Sequence, residues 1–188
     1  FAGAIRRALD VPVAFDTDVN AAAFGEGRWS AARGLHTCVY LTIGTGIGGG
    51  AVSNGKLLHG LMHPEMGHVR LPRIEGDEGF AGACPFHGDC FEGLASGPAM
   101  KARWGVPAET LEQGHPAWEL EAGYIALALQ GVICTLAPQR IVLGGGVLSA
   151  DFLLPMIREK TLKYLNGYIR SAEILDGIEE YIVAPGLG

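Results

Sequence analysis

Two β-rich runs that pass directly into glycine clusters constrain the fold of this chain more than any other feature. Residues 37–43 run into a cluster at 44–50, and residues 140–143 run into Gly144, Gly145 and Gly146. Segments with helical periodicity lie between and after these runs. Strands that alternate with helices, with glycines where the strands end, indicate an α/β fold that binds ligands at the carboxyl ends of its strands.

The other elements are predicted from apolar periodicity and capping residues. Asn20 is a candidate cap for a helix that runs to about residue 32, and Ser149 for a helix at 151–165. Ser53-Asn54-Gly55 predicts a hairpin turn. Further helices are predicted at 1–9, 91–103 and 118–136, and further strands at 11–15 and 181–184.

Composition excludes several classes of protein. The net charge is −6 and the 14 basic residues form no run, which argues against a nucleic-acid partner. The longest apolar run, 123–137, is shorter than the ~20 residues that span a bilayer, so it predicts a buried helix and no membrane partner. Four cysteines without a paired framework favour a reducing, cytoplasmic location. The chain starts inside a helical pattern and stops after a strand, so we expect a fragment.

The glycine clusters leave alternatives open. Backbone N–H groups at 44–50 could surround phosphate oxygens, or the run could be a tight hairpin. Gly44, Gly46 and Gly49 match G-x-G-x-x-G, but a dinucleotide-binding motif should open a helix and this one opens a hairpin. Residues 144–146 either leave space for a flat ligand such as adenosine or form a strand-to-helix turn.

Two carboxylates lie where the strand predicted at 11–15 meets the next helix. A kinase needs a carboxylate that accepts the proton of the attacking hydroxyl group. Asp16 and Asp18 both qualify, and each could equally be a cap or a solvated turn residue.

The sharpest feature is a set of soft metal ligands. Cys84, His87 and Cys90 follow one another at three-residue steps, and His68 lies sixteen residues before Cys84. Zinc prefers four nitrogen and sulfur ligands in a tetrahedron, and a closed site of this kind is structural. Such a site would order the Gly-, Pro- and His-rich segment 59–90. His63 is a rival for the fourth position.

Together these segments resemble the ROK family (repressors, open reading frames and kinases), in particular its fructokinase branch. The resemblance extends from Asp18 to beyond Gly146. The matching stretches are DTDVN (16–20), TIGTGIGGG (42–50), EMGH (65–68), CPFHGDCFEG (84–93) and LGGGV (143–147). The E-x-G-H motif followed by the cysteine cluster is the specific part of the match.

The resemblance implies an actin-like ATPase fold (ribonuclease H-like), with a mixed sheet and flanking helices. Residues 1–33 would end a smaller amino-terminal domain. Residues 34–188 would form the larger domain, with a zinc-binding loop at 59–92 and a final strand that either stays there or returns to the smaller domain. The family also suggests a homodimer.

The resemblance further implies ATP-dependent phosphorylation of a hexose, with ATP, Mg²⁺ and a structural Zn²⁺. Asp18 would be the catalytic base. The sugar would be bound by Thr17, Glu65, His68 and Glu92. The nucleotide would be bound by Thr45, Gly46, Pro98, Gly144, Gly145, Gly146 and Val147. The zinc would be bound by His68, Cys84, His87 and Cys90.

This chain departs from the family pattern at several positions, and these bear on which sugar it binds and on whether it is a kinase or a repressor. Many members have Asn in place of Thr17, and the broader family has C-x-C-G-x-x-G-C where this chain has C-P-x-H. That version favours fructose over glucose, mannose or an N-acyl hexosamine. A sugar-responsive repressor would need an amino-terminal helix-turn-helix, and Asp18 argues against it. The family's D-x-G-x-T phosphate loop does not occur in these residues, so we expect little activity from the chain alone.

Overall fold

A five-stranded mixed sheet organises the computed structural model, which describes residues 2–187. The strands, in the spatial order β3-β2-β1-β4-β5, are β1 (Cys38–Ile43), β2 (Ile47–Ser53), β3 (Lys56–Leu57), β4 (Arg140–Gly144) and β5 (Ile182–Val183). β1 is antiparallel to β2 and parallel to β4, and β4 is parallel to β5. Thr42 pairs with Gly144, so both glycine clusters meet at one edge of the sheet.

Eight helices and three 3-10 turns complete the described part of the chain. The helices are α1 (Ala2–Leu9), α2 (Asp18–Trp29), α3 (Phe91–Ala95), α4 (Gly97–Trp104), α5 (Pro116–Leu136), α6 (Leu153–Leu165), α7 (Ala172–Leu175) and α8 (Ile178–Tyr181). The 3-10 turns are Met66–His68, Ala108–Thr110 and Gly146–Ser149.

The sheet separates two apolar layers, because side chains alternate between its faces. Leu41, Ile43 and Ile141 belong to the main core with α3, α5 and α6, whereas Cys38 and Val142 pack in a smaller cluster on the other face. Helix α2 packs on β1 and β2.

Close packing between α2 and β2 explains the second half of the first glycine cluster. A Cβ atom on Gly50 would lie 2.2 Å from the backbone oxygen of Val19, and one on Gly48 would lie 2.8 Å from the Val19 side chain. All three glycines belong to β2, and Gly48 and Gly50 let the helix approach the strand. Gly49 points to the other face, where a Cβ would lie 2.7 Å from the Met66 sulfur. Only Gly44, Thr45 and Gly46 form the turn.

Helix α5 is long and apolar enough to cross a membrane by length and composition, yet it packs against α6 and α3. Its side chains Tyr124, Ile125 and Leu129 are fully buried. The prediction of a buried helix in this region is confirmed.

Several boundaries differ from the sequence predictions. Residues 11–15 form no strand, and the cap of α2 is Thr17, whose Oγ1 accepts a hydrogen bond from the Asn20 N–H. The helix predicted at 91–103 is interrupted at Ser96, which caps α4. Ser149 lies in a 3-10 turn and donates its hydroxyl hydrogen to the Gly146 carbonyl, so it does not cap α6. The last strand pairs with β4 within this sheet; the domain division at residue 33 stays a prediction.

Candidate functional site

The amino-terminal turn of α2 carries both candidate carboxylates in different surroundings. Asp16 accepts hydrogen bonds from the Asn20 amide at 2.8 Å and the Thr17 N–H at 2.8 Å, and it pairs with the His59 ring at 2.9 Å. These contacts, the Asn20 bond foremost, lower the pKa of Asp16. Asp18 is exposed and accepts only the N–H of Val19 among the described residues. Asp16 therefore stabilises the turn, while Asp18 is available to a ligand.

His68, Cys84, His87 and Cys90, which we name the metal cluster, converge on one point. One ligand atom from each lies within 4.8 Å of all the others. Gly93 permits this convergence, because a Cβ there would lie 1.8 Å from the Gly88 carbonyl oxygen.

The spacing of these atoms fits a zinc ion. In a tetrahedron with Zn–S about 2.3 Å and Zn–N about 2.1 Å, a sulfur and a nitrogen lie about 3.6 Å apart. Cys84 Sγ lies 3.8 Å from Nδ1 of His68 and 3.8 Å from Nδ1 of His87, and Cys90 Sγ lies 3.5 Å from Nδ1 of His68. The two-nitrogen, two-sulfur donor set is also one of those that zinc uses in structural sites.

The two thiols differ in acidity. Burial tends to raise the pKa of Cys84, but the N–H groups of His87 and Phe86 outweigh it and lower the pKa. Burial raises the pKa of Cys90, and the neighbouring Cys84 raises it further. One thiolate therefore forms more readily than the other, and a bound cation would favour both.

A second cluster, the ionic cluster of Arg73, Asp77, Arg103 and Tyr124, joins the same loop to helices α4 and α5. Arg103 donates from Nε to Asp77 at 2.8 Å and from a terminal nitrogen at 3.1 Å, and the Tyr124 hydroxyl donates to Asp77 at 2.6 Å. Arg73 donates to the Asp77 backbone carbonyl. Asp77 and Arg103 are 6% and 8% exposed, so this ion pair is buried.

A smaller cavity of about 400 Å³ opens between α2, the glycine turn and the loop. It is lined by Thr17, Asp18, Thr45, His63 and Glu65, among others. Two of the four predicted sugar-binding residues, Thr17 and Glu65, thus come together with the predicted base Asp18. His68 and Glu92 do not line this cavity: His68 lies in the metal cluster, and Glu92 accepts the N–H of Ile47 at 3.0 Å behind the turn.

A larger cavity of about 950 Å³ lies on the other side of the turn. Of the predicted nucleotide-binding residues, Thr45, Pro98, Gly146 and Val147 line it, while Gly46 lines the smaller cavity instead. Gly144 and Gly145 line neither. They are needed for packing, since a Cβ would lie 2.5 Å from the Tyr40 hydroxyl or 2.4 Å from the Ile43 carbonyl oxygen.

Sequence reasoning missed several lining residues of the larger cavity. Lys101 brings a positive charge one helical turn after Pro98, and that spacing on a predicted helix was a usable signal. Trp118 and Phe152 also line the cavity and stack edge to face, with ring centroids 5.2 Å apart. No local pattern links these two rings, because they meet only in the folded chain.

The two cavities meet at the glycine turn, so two ligands can be held next to each other there. Comparison with known proteins identifies the family. Residues 1–180 match the ROK family, and the chain belongs to that family. The fold is accordingly the actin-like α/β fold predicted from the sequence.

Individual relatives agree with this assignment. A Bacillus subtilis protein whose name includes fructokinase is 50% identical over 188 residues, which is 100% of this chain and 62% of that protein. The fructokinase of Zymomonas mobilis is 45% identical over 97% of this chain and 60% of its own length. A ROK family glucokinase from Streptomyces griseus, solved with glucose and AMPPNP, superposes with a TM-score of 0.74 at 25% identity, over 100% of this chain and 67% of that one. The chain thus spans about three fifths of the length of these curated relatives.

Proposed function

We propose that the intact protein carrying this chain is an ATP-dependent fructokinase that converts fructose to fructose 6-phosphate. The observation that carries the proposal is the junction of the two cavities, since Gly44 and Thr45 line both. A phosphoryl donor in the larger cavity and an acceptor in the smaller one would meet at this turn. Phosphoryl transfer depends mainly on such positioning and on charge stabilisation.

Asp18 acts as the general base. Its exposed carboxylate lines the acceptor cavity and accepts the proton of the attacking hydroxyl group. The sugar oxygen forms a bond to the γ-phosphorus, and the bond from that phosphorus to the bridging oxygen of ATP breaks, which releases ADP. Thr17 and Glu65 bind sugar hydroxyls from the cavity wall. Glu92 holds the turn through the Ile47 N–H and His68 holds the loop through the metal cluster, so both support that wall.

The nucleotide occupies the larger cavity. Thr45 approaches its phosphates from the turn, while Pro98, Gly146 and Val147 bound the adenosine side. Gly46 lies on the acceptor side of the same turn, and Gly144 and Gly145 act through packing. Lys101 adds a positive charge for the phosphates, together with the Mg²⁺ that accompanies ATP. Trp118 and Phe152 offer flat apolar surface.

Zinc is held by His68, Cys84, His87 and Cys90 and orders the loop. Four protein ligands leave no open position, so the ion contributes structure and no chemical step. The loop that it orders also carries Glu65 of the acceptor cavity.

Fructose is preferred over glucose, mannose and N-acyl hexosamines because the relatives at 41–50% identity carry fructokinase in their names. The same names favour a kinase over a sugar-responsive repressor. We further propose a cytoplasmic homodimer. Its four cysteines form no disulfide in the described part of the chain, which fits a reducing location.

The test is a coupled ADP-release assay on the intact protein with fructose, glucose and mannose. Asp18→Asn should lower kcat by about 10²- to 10⁴-fold while sugar binding is retained. Asp16→Asn is the matched variant and should lower kcat far less, because Asp16 is already bonded to Asn20, Thr17 and His59. Equal kcat/KM for the three sugars would defeat the fructose assignment, and high residual kcat in Asp18→Asn would remove Asp18 as the base.

A further inference from the structure

His63 faces the smaller cavity and not the metal cluster. By its position in the sequence it competes with His68 for the fourth metal position, but it is not a member of the metal cluster. It lines the smaller cavity together with Asp18 and Glu65, and its side chain is 36% exposed. A histidine in this position can reach whatever occupies the cavity.

Glu65 fixes the orientation of the His63 ring. Nε2 of His63 lies 2.9 Å from Oε1 of Glu65. An ionised carboxylate can only accept hydrogen bonds, so Nε2 carries the hydrogen in this contact. The other ring nitrogen, Nδ1, has no hydrogen-bond partner within residues 2–187 and can bond to a ligand.

The cavity wall selects an uncharged, hydroxyl-rich ligand. Asp18 and Glu65 contribute negative charge, and neither Lys nor Arg is present among the residues that line this cavity. An anionic ligand would be repelled, whereas sugar hydroxyl groups can donate to both carboxylates. His63 is the only histidine among the residues that line this cavity.

We propose that His63 is a sugar-binding residue that bonds one hexose hydroxyl group directly through Nδ1 while Nε2 remains on Glu65. This inference rests on the proposed kinase function and extends it to a residue outside the predicted sugar set. It makes His63 and Glu65 a single recognition unit in which the ring orients the carboxylate and also contacts the sugar.

The experiment uses three substitutions of His63 and one control substitution in the intact protein, with steady-state kinetics for fructose and ATP and metal analysis of each variant. His63→Ala should raise the KM for fructose by about tenfold or more, with the KM for ATP and the metal content unchanged. His63→Asn places its amide near the position of Nδ1 and should retain more affinity than His63→Gln, whose amide replaces Nε2. His36→Ala, at an exposed histidine that lines neither cavity, is the control and should match the wild type.

A series of monodeoxy hexoses identifies the contacted hydroxyl group. One analogue should bind about tenfold more weakly than fructose in the wild type and show no further loss in His63→Ala. Loss of metal from His63→Ala would make His63 a ligand of the ion and overturn the inference. Greater affinity in His63→Gln than in His63→Asn would show that the residue acts only through Glu65, which also overturns direct contact. An unchanged KM in an active enzyme refutes the inference alone, whereas a wild type that phosphorylates no hexose refutes the proposed function with it.

Discussion

The segment between β3 and α3 is held by two clusters that differ in chemistry and in reach. The metal cluster takes all its ligands from residues 68–90 and so closes the loop on itself. The ionic cluster joins Asp77 of the loop to Arg103 of α4 and Tyr124 of α5. The first therefore sets the internal shape of the loop, and the second attaches the loop to the body of the domain.

The two clusters also stabilise the loop in different ways. A metal site gains its free energy from an ion that the unfolded chain holds poorly, so its contribution depends on the free metal concentration. A buried ion pair has no such dependence, but the desolvation of its charges offsets most of their attraction. The full desolvation cost of a buried charge appears only when a substitution removes its partner.

The largest effect is expected for Cys90→Ser, which breaks the metal cluster at a fully buried ligand. The variant should lose bound zinc, and the free energy of unfolding should fall by more than about 4 kcal/mol. Elemental analysis and urea unfolding measure the two effects. Hydrogen exchange should increase around residues 84–90 before it increases around Asp77. Cys134→Ser, at an exposed thiol on α5, is the matched control. Full zinc content in Cys90→Ser would show that the four residues are not its ligands.

A somewhat smaller effect is expected for Arg103→Met, which removes the two hydrogen bonds of the guanidinium to Asp77 and keeps much of the side-chain volume. Breaking a buried ion pair by removing one partner costs about 3–5 kcal/mol, and Arg73, which lies 3.6 Å from the Asp77 carboxylate, offsets part of that cost. Urea unfolding should therefore show a loss of about 2–4 kcal/mol. The zinc content should stay that of the wild type. Lys101→Met, on the exposed side of the same helix, should change the free energy of unfolding by less than about 0.5 kcal/mol.

Release of zinc from Arg103→Met would contradict the separate roles of the metal cluster and the ionic cluster. It would mean that the loop cannot hold its shape once it is detached from α4 and α5, and that the two clusters act as one cooperative unit.

The two clusters also mark what sequence could and could not predict. The convergence of the four His and Cys side chains was predictable because their spacing is local and their chemistry is rare. The ionic cluster was not, because Asp77 and Arg103 resemble ordinary surface charges until the chain brings them together across 26 positions. Strands β1 and β4 were predictable from β-branched runs. The glycines at 48–50 gave no sign that close packing, against α2 for Gly48 and Gly50 and against Met66 for Gly49, explains them better than a phosphate does. The cap of α2 was misplaced because both Thr17 and Asn20 can cap a helix.

The smallest effect concerns Glu121, a fully buried carboxyl group on α5 one turn before Tyr124. Neither of its side-chain oxygens has a hydrogen-bond partner among the described residues, since Arg103 donates to Asp77 and to the Leu94 carbonyl. Burial raises the pKa of Glu121 well above its usual 4.5, and the charge of Arg103 offsets only part of that rise. The folded state therefore keeps a proton that the unfolded chain releases above about pH 4.5.

Because the folded state binds more protons, the free energy of unfolding should fall as pH rises above 4.5 and until the raised pKa is passed. Glu121→Gln should remove that slope and raise the free energy of unfolding near pH 7.5, by less than Arg103→Met lowers it. Urea unfolding from pH 5 to 8 measures both. Glu119→Gln, on the same helix but exposed and paired with Lys160, should leave the slope in place. An unchanged slope in Glu121→Gln would mean that Arg103 neutralises Glu121 as well as Asp77, so that the ionic cluster extends further into α5 than its hydrogen bonds indicate.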